Sequence, residues 1–210
     1  MPNFTDLTGL AGVAGALAAC LLWVPWVKRL ANNQRAWLTG AVFVMVLIPF
    51  NGFPLAAYVR GATGDLSITT VVLLWCALLR PWLGTASNDS RHRVALLVLV
   101  SLAAIVLYPM ALGLGALDPY RLGYGSGPFV AALLLVVLAA WFRKSYLIVF
   151  TISFAAFAWS VGWYESANLW DYLLDPFVSI YALAAIMKQA AKALCFKTGE
   201  PTNRQARDLP

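Results

Sequence analysis

Apolar residues arrive along this chain in long blocks, at about 8–26, 36–54, 67–84, 94–114, 127–142, 145–164 and 174–194. Blocks of roughly twenty residues match the length a helix needs to cross a hydrocarbon core of about 30 Å. Val94 to Leu107 and Phe129 to Phe142 carry apolar residues on every side, unlike the alternating segments of a transmembrane barrel. Backbone amides in lipid must be satisfied within their own segment, which leaves continuous helices as the way across. The pattern therefore predicts an all-α fold: a polytopic transmembrane helix bundle of about seven spans.

The seventh block sets the count, because Lys188 and Lys192 interrupt its far half. A helix starting at Pro176 carries Lys188 past the midplane, where its stem snorkels to the headgroups. That gives seven spans; without it, six. Connections between blocks are short, which predicts one transmembrane domain over residues 1–196 and a polar cytoplasmic tail over 197–210.

Charge orients the bundle. With the N-terminus outside, thirteen of the fifteen basic residues fall on inward connections or the tail: Lys28, Arg29, Arg35, Arg80, Arg91, Arg93, Arg143, Lys144, Lys188, Lys192, Lys197, Arg204 and Arg207. The outward side keeps Arg60 and Arg121 together with Asp6, Asp65, Asp118, Glu165, Asp171 and Asp175. Short cytoplasmic loops retain Lys and Arg in this way, so the C-terminus is expected in the cytoplasm. The net charge of +6 is then a topological signal that favours anionic lipid and gives no reason to expect nucleic acid. With short loops, it points to the cytoplasmic (inner) membrane of a bacterium. The first 27 residues lack Lys and Arg, so the opening block reads as a retained span and not as a cleaved signal. Cys20, Cys76 and Cys195 are scattered through spans and tail, which indicates no disulfide framework and no zinc or redox site. Trp23, Trp26, Trp82 and Trp141 near inward ends, with Trp163 and Trp170 near an outward end, read as interfacial anchors.

Candidate chemistry gathers at the outward ends. Asp118-Pro119 and Asp175-Pro176 place a cap acceptor before a proline suited to a first helical turn, and Asp65 precedes the third span as a similar start signal. Arg60 and Arg121 stand on the side where topology disfavours basic residues, beside Tyr58 and Tyr120. Their guanidinium forks suit a phosphate or carboxylate headgroup, and the competing role is a local ion pair with Asp65 or Asp118. Glu165 and Asp171 are the two rim acids without a capping role, and so the candidates for acid-base work. The stripe Gly9, Gly12 and Gly15 allows a second helix to approach the first span closely.

The sequence contains no HExxH, GxSxG or Walker loop; His92 is the single histidine and lies on the inward side. No catalytic residue, metal site or cofactor is assigned. Spans one to six hold no ionisable residue near their centres, which argues against proton coupling. The expected function is a non-catalytic subunit or scaffold of a cell-envelope assembly or transport complex. Its partners would be membrane lipids and a larger membrane or periplasmic protein. The alternative is a lipid-headgroup-handling enzyme or flippase with an outward Arg/carboxylate site.

Overall fold

The computed structural model describes residues 4–22, 24–50, 52–83 and 89–198. Most of these are helical: α1 (Phe4–Leu21), α2 (Asn32–Met45), α3 (Leu55–Thr63), α4 (Ile68–Leu83), α5 (Asp89–Ala111), α6 (Gly127–Phe142), α7 (Tyr146–Ser160), α8 (Leu169–Leu173) and α9 (Pro176–Thr198). A two-residue antiparallel pair, β1 (Pro49–Phe50) with β2 (Phe53–Pro54), joins Pro49 to Pro54 and Phe50 to Phe53. Short 3-10 turns at Val27–Arg29 and Pro119–Gly123 complete the set.

Each apolar block contains one principal helix, but several helices are shorter than their blocks. Among the described residues, only Ser90–Ala111 is both long and apolar enough to cross a membrane by itself; the apolar helices at Gly9–Leu21, Ile68–Leu79, Gly127–Phe142 and Tyr146–Ser160 fall short. The all-α fold expected from the sequence is present, with one span-length apolar helix among the described residues. The clearest shortening is in block 36–54. There α2 stops at Met45, because Pro49 and Pro54 each remove an amide donor and Gly52 turns with φ +99° to close the hairpin. The stretch expected as the first outward loop instead winds into α3. In the opposite direction, α9 runs unbroken past Lys188 and Lys192, both exposed.

Two apolar clusters organise the molecule. Val13, Ala14, Val46 and Ala56 tie α1, the end of α2 and α3 together. A larger core, from Ile68 and Leu96 to Ala155, Leu169 and Val178, unites α4 through α9. The units meet where α1 packs on α4. A methyl added at Gly9 would collide with Arg60 and Asp65, one at Gly12 would reach Val71 at 3.3 Å, and one at Gly15 would stand 4.0 Å from Trp75. The small-residue stripe thus lies against α4 and the turn before it. Helices α5 and α9 pack along one another, as do α6 and α7.

Candidate functional site

Three segments converge at the end of the bundle where α4 and α9 begin: the α3–α4 turn, the loop from α5 to α6, and the loop from α7 to α9. Their joints are hydrogen-bonded carboxylates.

Asp175 is the most deeply used. One oxygen, Oδ1, accepts from the Val178 amide at 2.8 Å and so caps α9. The other accepts from the Ser67 amide at 2.8 Å and from the Thr70 hydroxyl. The Thr69 hydroxyl donates to the Leu173 carbonyl at 2.6 Å beside it. One buried carboxylate therefore satisfies the first turns of two helices that lie more than a hundred residues apart in sequence. Charge-assisted bonds of this kind are about twice as strong as neutral ones.

Asp65 has a different role from the helix-start signal expected of it. Ser67 caps α4, its hydroxyl accepting from the Thr70 amide at 3.2 Å. Asp65 instead takes a two-pronged ion pair from Arg60, Nε to Oδ1 at 2.6 Å and Nη2 to Oδ2 at 3.0 Å. The chain permits this because Gly64 ends α3 at φ +75°, turning residue 65 back onto the helix it has just left.

Asp171 joins the two longer loops. Its oxygens accept from the Tyr120 hydroxyl at 3.0 Å each, and Oδ2 also accepts from the Ser166 hydroxyl. Asn168, fully buried, adds a second link. Its side-chain amide donates to the Tyr120 carbonyl at 2.9 Å while its oxygen accepts from the Trp170 amide at 2.9 Å. Trp170 donates its indole N–H to the Pro119 carbonyl at 2.9 Å and packs on Phe129. Gly123 lies so close to Asn168 that a Cβ there would collide with the amide oxygen. Asp118 caps its own turn, accepting from the Tyr120 amide at 3.0 Å. Tyr172 closes the same loop, accepting from the Tyr164 amide at 3.0 Å and donating to the Tyr164 and Ser166 carbonyls.

These segments surround a cavity of about 540 Å³ lined by Asp65, Tyr108, Tyr120, Tyr164, Asp171 and Asp175 among others. Burial, followed by the charge of Asp171, raises the Tyr120 phenol well above its ordinary value, and burial does the same to Tyr164. The Tyr120 phenol is a neutral donor to Asp171. The lining is acidic and hydroxyl-rich, a surface that repels a phosphate and suits hydroxyls or a cation.

Of the six rim candidates, Tyr120 and Asp171 meet in this cavity. Arg60 is engaged by Asp65 at its edge, while Arg121 and Glu165 are exposed and outside the lining. Tyr58 is exposed and packs edge-on against Phe53. The two arginines do not form a shared clamp. Sequence reasoning missed Asn168, Ser166, Tyr164, Tyr172 and Tyr108. The Ser-Ala-Asn spacing before a short helix is a turn signal, but its cross-loop partner has no sequence signature. No group of His, Cys, Asp or Glu among the described residues is arranged to hold a metal ion. Trp23, Asn51 and residues 199–210 lie outside the described residues, as do the side chains of Arg80, Trp82 and Cys195.

The second large concavity is an apolar groove of about 750 Å³ between α1–α3 on one side and α4 and α9 on the other. Comparison with protein-family models, with curated proteins and with solved structures finds no match.

Proposed function

We propose that this chain is a multi-pass protein of the bacterial cytoplasmic membrane, acting as a non-catalytic subunit or scaffold of a cell-envelope assembly or transport complex. One observation carries the reading. The polar groups that meet at the α4/α9 end are spent on one another, whereas the helix exteriors present large apolar side chains. Asp65, Asp171 and Asp175 already accept bonds from Arg60, from Tyr120 and Ser166, and from Ser67, Thr70 and Val178. A general acid or base needs a free face toward its substrate. Meanwhile Leu102, Ile105, Leu134, Leu135, Phe150 and Phe157 are more than half exposed along α5, α6 and α7. Large apolar side chains left exposed along three helices serve lipid or a partner protein.

The headgroup-handling alternative draws on the cavity at the loop junction, but with three carboxylates in its wall the occupant would be a hydroxylated or cationic group and not a phosphate. Photo-crosslinking from Leu134 and Leu138 on α6, in native membranes, tests the subunit reading. A single larger protein captured at both positions supports it. Capture of lipid alone, with Asp171→Asn in the cavity wall abolishing an enzymatic headgroup conversion, would replace it by the alternative.

A further inference from the structure

The groove between the α1–α3 unit and the larger helical core differs in chemistry from the loop-junction cavity. Its long walls are apolar, built from Val13 and Leu17 of α1, Leu73 and Leu74 of α4 and Phe177 of α9. Its volume of about 750 Å³ lies within the roughly 300–1,000 Å³ typical of small-molecule sites. The charged side chains lining it are both arginines, Arg35 and Arg93. They come from the first turn of α2 and the second turn of α5, two helices that start at the same end of the bundle, opposite the Asp175 junction.

Both guanidiniums are held in place by neutral acceptors. Arg35 Nη2 donates to the Lys28 carbonyl at 2.8 Å and the Leu30 carbonyl at 3.2 Å, while its Nε is buried with no hydrogen-bond partner. Arg93 Nη2 donates to the Tyr181 hydroxyl at 2.7 Å, and its guanidinium lies 5.9 Å from that ring's centre. No carboxylate among the described residues lines the groove. Two positive charges at one end of an apolar channel, with no carboxylate beside them, favour an anion there. A phosphate matches the guanidinium fork, and an acyl chain matches the walls.

We infer that this groove binds one anionic phospholipid, its acyl chain along α1, α4 and α9 and its phosphate between Arg35 and Arg93. Basic pockets between membrane helices on the cytoplasmic side hold anionic headgroups by the same balance of charge and burial. The site rests on the bilayer part of the proposed function and is independent of the subunit role.

The test uses the full chain in nanodiscs containing equal phosphatidylglycerol and phosphatidylcholine of identical acyl chains, read by native mass spectrometry. Resistance of the chain to alkaline extraction from its membrane is measured first. A chain that washes out fails the bilayer reading, and the lipid site falls with it. For a chain that stays, the expected result is one retained phosphatidylglycerol per protomer. Arg93→Gln, which keeps a donor for Tyr181 but removes the charge, should lower retention about tenfold, the loss of one charge-assisted contact. Ala77→Trp, which fills the groove and leaves both charges in place, should abolish it. Equal retention of both lipids, or phosphatidylglycerol held equally by wild type and the folded variants, would overturn the proposal. A second copy of the chain or another protein recovered in place of the lipid would overturn it as well.

Discussion

A single carboxylate can decide whether two helices begin in register. Asp175 takes three donors from two helix starts, and removing it leaves the buried Ser67 amide and the half-buried Thr70 hydroxyl without their acceptor. Each unsatisfied group costs about 1–3 kcal/mol, so Asp175→Ala should destabilise by about 3 kcal/mol or more. Asp175→Asn, which keeps one acceptor oxygen, should lose roughly half of that, as measured by thermal unfolding in detergent. The glycines offer a matched contrast. Gly123→Ala drives a methyl into the Asn168 amide and should cost about 1–3 kcal/mol, whereas Gly40→Ala meets nothing within 4 Å and should stabilise α2 by about 0.5–1 kcal/mol. The caps at Asp118 and Asp175 were legible in the sequence because capping is local, an acceptor two or three residues from its donor beside a proline. That Asp175 also serves α4 was not legible, since the bond crosses 108 positions. Asp65 was read as a cap for the same local reason, and was misread because Gly64 turns its side chain toward Arg60.

Among the elements, the two long connections are bonded directly to each other. The Tyr120 hydroxyl on Asp171, the Asn168 amide on the Tyr120 carbonyl and the Trp170 indole on the Pro119 carbonyl form one clasp between the α5–α6 and α7–α9 connections. Its pH response follows from the raised Tyr120 phenol, whose first cause is burial and whose second is the Asp171 charge. The folded state holds this proton more tightly than the unfolded chain, so its contribution is complete below about pH 10, the ordinary phenol value. It declines as pH rises from there toward the folded-state value. Tyr120→Phe should therefore flatten part of the alkaline fall in stability and speed amide exchange across residues 161–175 at neutral pH. Fluorescence-monitored unfolding between pH 9 and pH 11 reads the first effect, and exchange mass spectrometry the second; unchanged exchange would show that the clasp is held by Asn168 and Trp170 alone. The apolar blocks located every principal helix but not their ends. Hydropathy continues through Val46, Leu47 and Ile48, where the backbone has already left the helix for a hairpin set by two prolines. Helix α3, nine residues interrupted by Arg60, is too short to stand out as a block.

For the molecule as a whole, the question is how many times it crosses the bilayer. A 16-residue helix such as α6 spans about 24 Å, short of the roughly 30 Å hydrocarbon core. Length and composition together therefore admit one crossing among the described residues, by α5. The exterior argues for more, since Leu134, Leu135 and Phe142 on α6 and Phe150 and Phe157 on α7 are all more than half exposed, a surface costly to leave in water. A deficit of about 6 Å is within what local thinning and apolar helix ends accommodate. The alternatives separate at Arg143, in the tight turn where Lys144 adopts φ +57° between α6 and α7. If α5 alone crossed, residues 121, 143 and 165 would all lie outside. If α6 and α7 cross as well, 143 lies inside while 121 and 165 remain outside. Single cysteines at Arg121, Arg143 and Glu165, each exposed, in a chain with Cys20, Cys76 and Cys195 replaced by serine, should thus divide under an impermeant maleimide. The expected pattern is labelling at 121 and 165 in intact spheroplasts, with 143 labelled only after permeabilisation. Labelling of all three from outside would reduce the bundle to a single crossing, leaving the apolar faces of α6 and α7 to be covered by protein instead of lipid.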